Sequence, residues 1–197
     1  MVIQVYTLRH GETGTNANKP GTFDMDDPSL TNVGLLQIRR VGPVAARLGI
    51  GLIISSTSTR AVQSTRELVA HLPYSTPVIY DHRAREQEWG GLKGRNKAEF
   101  FKKIDSQAQA EGLAFRGDPG AESVQDVADR MLSLVIECKR YDRGNVVIVT
   151  HNQTSKAPSA VVQDVDRKAY LKCDVPNGSL ARLDFADPQI RTPLFVP

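Results

Sequence analysis

A cation and an imidazole stand side by side at Arg9 and His10, directly after the apolar run from Val2 to Leu8. Valine and isoleucine at this density fit a strand buried on both faces, and Gly11 lets the backbone turn sharply or approach a ligand closely. The carboxyl end of such a strand is where open α/β sheets bind ligands. The pair therefore indicates an oxyanion clamp beside a nucleophile or base, with an ordinary charged turn as the alternative.

A second histidine stands in the same kind of place. The β-branched run from Asn145 to Thr150 predicts another buried strand, and this strand ends at His151. His10 and His151 are therefore each predicted to lie at the end of a buried strand.

Arg60 is a candidate for anion binding. It follows a predicted buried strand from Gly51 to Ser56 and stands near the start of a predicted helix that ends near Pro73. Helix N-terminal amides and a guanidinium together favour a phosphate, because the helix dipole and the fork of donors both attract negative charge. A solvated surface arginine is the alternative.

Strands and helices interleave along the chain, which favours the α/β fold class. The other predicted elements are a helix capped by Thr31 and interrupted near Gly42-Pro43, a strand at 77–80, a helical run at 95–112, a helix opening at 121–123 and a last strand from Leu180 to Phe185. The segment from Ala17 to Ser29 is predicted to be a loop that walls the site. No repeat or long linker divides the chain, so residues 1–197 are predicted to form a single domain.

The composition of the 197 residues is that of an ordinary globular protein, with 40% hydrophobic residues and a formal net charge of +3. This charge is too mild to indicate nucleic-acid binding. Cys138 and Cys173 have no metal-ligand spacing and indicate no disulfide scaffold. No apolar run is long enough to span a bilayer and no cleavable signal is evident, so a cytoplasmic protein without a membrane partner is expected.

The run from Arg9 to Thr13, followed by Asn16, resembles the signature of the histidine phosphatase superfamily, branch 1. This group contains phosphoglycerate mutases and fructose-2,6-bisphosphatases. The segments around Arg60 and Thr150-His151 resemble the parts of the family that carry its second phosphate-binding arginine and second catalytic histidine. The resemblance continues to about Phe185 and implies a phosphoglycerate mutase-like, three-layer α/β/α fold with a mostly parallel sheet.

The resemblance also implies a role for each of these residues. His10 would be the nucleophile and would form a phosphohistidine. The phosphoryl oxygens would be held by Arg9, Asn16, Arg60 and His151. Placing Trp89 to Gly94 on the family's aromatic-glycine segment puts Glu86 at the position of the general acid, with Glu88 as the alternative. No metal and no other cofactor is implied.

Three positions depart from the family pattern. Asp24 stands in the region of a Gln-Gly or Thr-Gly pair, and would repel a second phosphate if its carboxylate pointed inward. Asn152 replaces the glycine after the second histidine, where asparagine best tolerates a left-handed backbone. Pro158 would disturb a helix that began directly after His151, so support of the phosphate by a helix dipole is not expected there.

Three functions are compatible with these observations. The favoured one is a phosphomonoesterase acting on a small phosphorylated metabolite, because the mutase insertion expected between Phe100 and Pro119 is missing. A phosphoglycerate mutase-like phosphotransferase is supported by the resemblance of Arg95 to Glu99, where Lys97 would contact substrate, although a solvated basic face is the simpler explanation. A non-catalytic phospholigand-binding protein is the third. Dimers are common among such enzymes, so a homodimer is kept as an expectation.

Overall fold

The computed structural model describes residues 3–18, 21–23, 27–73, 76–138, 140, 141 and 144–183, and for residues 101–106 it describes the backbone alone. Its strands are β1 Val5–Arg9, β2 Ile50–Ser55, β3 Val78–Tyr80, β4 Asn145–Thr150 and β5 Leu180–Arg182. Its α-helices are α1 Gly14–Asn18, α2 Asn32–Arg47, α3 Thr59–Val69, α4 Lys97–Glu111, α5 Val124–Cys138, α6 Asn152–Val162 and α7 Arg167–Lys172. Asp24 lies outside the described residues. The tail from Ala186, which the sequence predicts to be extended or poorly ordered, also lies outside them.

The five strands form one sheet in the order β3-β2-β4-β1-β5. Neighbouring strands are parallel except for β5, which runs antiparallel to β1. The predicted mostly parallel sheet is confirmed. Because parallel strands end at the same edge, β1, β2 and β4 bring their carboxyl ends together.

Helices cover both faces of this sheet. On β4, Val147 and Val149 pack into a core with residues of α2 and α3, whereas Val146 and Ile148 pack into a second core with residues of α5. Helix α6 lies against α5. Burial on both faces explains the uninterrupted apolar runs in the sequence and confirms the three-layer α/β/α fold. None of the helices in the described ranges has the length and apolarity needed to cross a membrane.

Of two predictions about helix α2, one is correct and one is wrong. Thr31 caps it as predicted, by accepting a hydrogen bond from the Gly34 amide. The predicted interruption near Gly42-Pro43 is wrong, because the helix continues through both residues to Arg47. A Cβ at Gly42 would lie 2.3 Å from Cγ of His71, so this glycine allows the His71 ring to pack against the helix.

The segment 21–23 joins the region that leads into α4. The Phe23 amide donates to the Arg95 carbonyl, and the Phe23 carbonyl accepts from the Gly94 amide. The buried Phe23 ring lies 4.7 Å from the Trp89 ring and 5.5 Å from the Phe100 ring, between ring centroids. This part of the predicted loop therefore forms a wall together with the start of α4.

Candidate active site

Two histidines meet at one edge of the sheet because β1 and β4 are parallel neighbours. The last residues of these strands, Arg9 and Thr150, are paired. The next residues, His10 and His151, therefore lie side by side, with ring centroids 5.1 Å apart. Both rings are buried. The histidines that the sequence places on two separate strands thus form one pair.

His10 has its two ring nitrogens in different surroundings. Nδ1 lies 2.7 Å from the Gly11 carbonyl oxygen, to which it can only donate, so Nε2 carries the lone pair. Nε2 in turn accepts a hydrogen bond from Nε of Arg60 at 3.3 Å. Burial, followed by the positive charges of Arg60 and Arg9, lowers the pKa of His10 well below its ordinary value. The ring is therefore neutral at physiological pH, with the nucleophilic nitrogen beside a guanidinium.

The turn after His10 is fixed by α2. A Cβ at Gly11 would lie 2.3 Å from the Gly34 carbonyl oxygen, and a Cβ at Gly34 would lie 2.2 Å from the Glu12 carbonyl oxygen. The Gly11 amide donates to Oγ of Ser64 at 3.1 Å. The glycine expected to allow a ligand to approach thus allows a neighbouring helix to approach instead.

Arg60 lies in the first turn of α3 with its side chain buried. Its Nη1 donates to Oδ1 of Asp27 at 3.0 Å, while the other oxygen of Asp27 accepts from the Thr59 amide at 2.7 Å. Asp27 therefore binds the N-terminus of α3 and orients the guanidinium at the same time. Sequence reasoning missed Asp27, although an acidic residue is a typical partner of a helix N-terminus.

Arg9 and Asn16 are held by the chain between α7 and β5. Arg9 Nη1 donates to the Val175 carbonyl and, at 3.3 Å, to Oδ1 of Asp174. Oδ1 of Asn16 accepts from Nδ2 of Asn177 at 3.1 Å and from Oγ1 of Thr13 at 3.0 Å. Because these donors occupy Oδ1, Asn16 presents N–H groups as its remaining hydrogen-bonding groups.

His151 is fully buried, and its Nε2 lies 2.8 Å from Oγ of Ser56. Its Nδ1 is buried and has no hydrogen-bond partner among the described residues. Burial, followed by the neighbouring His10 ring and Arg60 guanidinium, lowers the pKa of His151 well below its ordinary value. If the Ser56 hydroxyl donates to Nε2, Nδ1 carries a proton that a bound phosphoryl oxygen could accept.

Glu86 and Glu88, which the sequence leaves as alternatives, have different surroundings. The Glu86 carboxylate accepts from the Gln153 amide at 3.3 Å and the Thr154 amide at 3.2 Å, and it lines the same cavity as His10. Glu88 instead binds Nζ of Lys93 at 2.6 Å. Partial burial would raise the pKa of Glu88, but the hydrogen bonds from Lys93 and a backbone amide hold it below its ordinary value. The geometry favours Glu86.

Two expectations about the start of α6 are wrong. Asn152 is the first residue of this right-handed helix, and Asp164 is the non-glycine residue with positive φ in the described ranges, so no left-handed backbone is needed at Asn152. Pro158 lies inside α6 without delaying its start. The helix dipole is present beside His151, although two of the first amides bind Glu86 rather than an open anion site.

These side chains surround a cavity of about 590 Å³. Of the six residues singled out from the sequence, it is lined by Arg9, His10, Asn16, Arg60 and Glu86, while His151 lies beneath its surface. Trp89 and Lys97 also line it. Lys97, which the sequence leaves on a solvated face, is half-buried and lies 5.6 Å from the centroid of the Phe23 ring.

The chain also matches a known protein family. The model of the histidine phosphatase superfamily (branch 1) matches residues 5–195 of the chain. The chain belongs to this superfamily. Among its histidine phosphatase relatives, a probable phosphoglycerate mutase, GpmB, of Salmonella paratyphi B (strain ATCC BAA-1250 / SPB7) is 30% identical over 198 aligned residues, which cover 95% of this chain and 87% of the relative.

Solved structures give the same fold for this histidine phosphatase. A mycobacterial glucosyl-3-phosphoglycerate phosphatase in complex with VO3 is 25% identical, with a TM-score of 0.74 and coverage of 92% of this chain and 91% of the other. A phosphoserine phosphatase mutant from Entamoeba histolytica, in complex with phosphoserine, is 18% identical, with a TM-score of 0.77. The alignment covers 97% of this chain and 96% of the phosphoserine phosphatase. The second likeness concerns the fold alone.

The buried histidines of this histidine phosphatase should remain neutral in mild acid. Because burial and neighbouring cations lower both pKa values, the ring ¹⁵N signals of His10 and His151 should not move between pH 8 and pH 6. An ordinary imidazole, with a pKa of about 6.5, gains most of its charge over that range. Long-range ¹H–¹⁵N NMR, with assignments from single alanine variants, measures this directly, and a midpoint near 6.5 for either ring would contradict it.

Proposed function

We propose that the chain is a metal-independent phosphomonoesterase that hydrolyses a small phosphorylated metabolite through a phosphohistidine on His10. The observation that carries the proposal is the arrangement at Nε2 of His10. This nitrogen holds its lone pair beside the Arg60 guanidinium, in a cavity that Arg9 and Glu86 also line. A neutral nucleophile near two permanent cations suits attack on a phosphate dianion.

In the proposed first step, Nε2 of His10 forms a bond to phosphorus while the bond from phosphorus to the leaving oxygen breaks. Arg9, Arg60 and the N–H groups of Asn16 and His151 stabilise the charge on the equatorial oxygens, as metal ions do in other phosphoryl-transfer enzymes. Glu86 gives its proton to the leaving oxygen. Water then attacks phosphorus and loses a proton to Glu86, and the bond between nitrogen and phosphorus breaks to release inorganic phosphate.

The names of the relatives support two reactions. The mycobacterial structure is that of a phosphatase with VO3 bound, and a related structure of the same protein contains inorganic phosphate. The Salmonella relative is named as a probable phosphoglycerate mutase, which favours phosphotransfer as the second candidate. Isomerisation of a phosphoglycerate that depends on an added bisphosphate would identify that second activity.

The proposal is tested by following phosphate release from 4-nitrophenyl phosphate in excess chelator. Turnover that persists in chelator, together with an acid-labile and alkali-stable phosphoenzyme in rapidly quenched samples, is the expected result. Loss of turnover in chelator that returns with one divalent cation would contradict metal independence. Absence of turnover with every phosphate ester, with and without bisphosphate, would contradict an enzymatic function.

Replacing Glu86 with glutamine should affect substrates according to their leaving groups. An alkyl phosphate needs a proton on its leaving oxygen, so kcat/KM should fall by roughly 100-fold to 1,000-fold, whereas 4-nitrophenyl phosphate should lose less than about tenfold. Glu88→Gln is the matched control, because Glu88 binds Lys93 and does not line the cavity. Equal losses on both substrates, or a larger loss in Glu88→Gln, would assign the proton to another group.

A further inference from the structure

The chain from Cys173 to Asn177 lies between α6 and the end of β1, and it supplies acceptors to the site. The Val175 carbonyl and the Asp174 carboxylate both accept hydrogen bonds from Nη1 of Arg9. Asp174 is largely exposed, with 73% of its side chain accessible, so its ion pair with Arg9 is weak. The Val175 carbonyl, as part of the backbone, is the more fixed of these two acceptors.

Two residues of helix α6 form hydrogen bonds that hold this segment in place. Oδ1 of Asn152 accepts from the Val175 amide at 3.0 Å, so Val175 is bonded on one side to α6 and on the other to Arg9. Four residues later, Lys156 lies on the same face of α6, and its Nζ donates to the carbonyls of Tyr170 and Cys173. The ammonium also lies 4.3 Å from the centroid of the Tyr170 ring.

These contacts form a continuous path from α6 to the phosphate site. Without the Asn152 contact, the Val175 amide would lose its acceptor and the Val175 carbonyl would no longer be held against Arg9. Without Lys156, the carbonyls that end α7 would lose a charged donor, which is worth more than a neutral one. Burial lowers the pKa of Lys156 to about 8, so the amine is still mostly charged at neutral pH.

We propose that Asn152 and Lys156 are positioning residues that orient the Arg9 guanidinium for phosphate by fixing the segment from Cys173 to Asn177. Neither residue needs to touch the phosphate for this role. The inference rests on the proposed function, since it assumes that Arg9 binds the phosphoryl group. It assigns a specific role to Asn152, which replaces the glycine of the family pattern, and to Lys156, for which the sequence suggested none.

The test measures the dissociation constant for inorganic phosphate by calorimetry, because binding does not depend on turnover. Asn152→Ala and Lys156→Met should each raise this constant about tenfold, the scale expected when one hydrogen bond to a charged group is weakened. Lys172→Met is the control, since Lys172 is an exposed lysine on α7, and it should leave the constant within about twofold of the parent. Asn152→Ala does not change the charge, so its effect separates positioning from simple attraction of the anion.

The variants are then repeated in an Arg9→Met background. If both residues act through Arg9, neither substitution should raise the phosphate constant further there. The Nε–H NMR signal of Arg9, assigned by its absence in Arg9→Met, should also shift in both variants. Equal effects in both backgrounds, or an unmoved Arg9 signal, would overturn the inference.

The outcomes also separate this inference from the proposed function. A parent that binds phosphate without turning over substrate, and whose affinity still depends on Asn152 and Lys156 through Arg9, would overturn the function and support the positioning role. A parent that hydrolyses substrate normally, but whose variants bind phosphate like the parent, would overturn the positioning role alone. A parent that neither turns over any phosphate ester nor binds phosphate would overturn both. Thermal melting of each variant confirms that it is folded before its affinity is compared.

Discussion

Replacing His10 with alanine should lower the turnover of every phosphate ester by roughly 10,000-fold or more, the scale seen when a covalent nucleophile is removed. The expectation follows from the surroundings of Nε2, since no other described imidazole in the cavity wall presents a lone pair beside Arg60. The loss should be equal for good and poor leaving groups, because the covalent intermediate is required for both. Rates with 4-nitrophenyl phosphate and an alkyl phosphate measure it.

The same variant should form no phosphoenzyme, while phosphate should still bind because both arginines remain. His82→Ala is the control, since His82 is 85% exposed and lies outside the cavity. It should keep both the rate and the phosphoenzyme of the parent. A His10→Ala protein that retains a substantial share of the parent rate would exclude the covalent route and leave direct attack by water.

Replacing Arg60 with alanine should lower kcat/KM by roughly 1,000-fold, near the upper end of what one stabilising donor contributes. The effect should be large because Arg60 has two roles. It provides a buried cation for the transferring phosphoryl group, and its Nε fixes the His10 ring through Nε2. Steady-state kinetics with 4-nitrophenyl phosphate, together with phosphate binding by calorimetry, separate the loss of affinity from the loss of rate.

Arg66→Ala is the matched control for this experiment. Arg66 lies on the same helix as Arg60, but it is exposed and does not line the cavity. Removing it should change kcat/KM by less than about threefold, since exposed charges contribute little to a distant site. Similar losses in both variants would mean that the net charge of α3, rather than the placement of Arg60, governs the reaction.

Helices α2 and α6 show one correct prediction from the sequence and two wrong ones. Thr31 was predicted correctly as the cap of α2, because capping depends on a side chain and an amide three residues apart. The continuity of α2 through Pro43 and the place of Pro158 inside α6 were predicted wrongly. In both helices, tertiary packing outweighs the one backbone hydrogen bond that a proline removes.

Most hydrogen-bond partners of the candidate site residues could not be predicted from the sequence. Asp27 meets Arg60 across 33 positions of the chain, and Val175 meets Arg9 across 166. No local pattern marks such partners, because an aspartate in a loop or a backbone carbonyl looks the same whether or not it faces an arginine. The choice between Glu86 and Glu88 was likewise left open by the sequence, since both residues stand in one charged stretch.

The fold class, the family and the candidates Arg9, His10, Asn16, Arg60 and His151 could all be predicted from the amino-acid sequence. The fold class depends on local features, namely apolar runs that form buried strands, and the family was inferred from the resemblance of short motifs at the ends of those strands. The tertiary structure was needed to see which carboxylate lines the cavity with His10, which nitrogen of His10 keeps its lone pair, and that α6 binds the segment that contacts Arg9. These depend on contacts between distant parts of the chain, whose geometry exists only once the sheet and its helices have assembled.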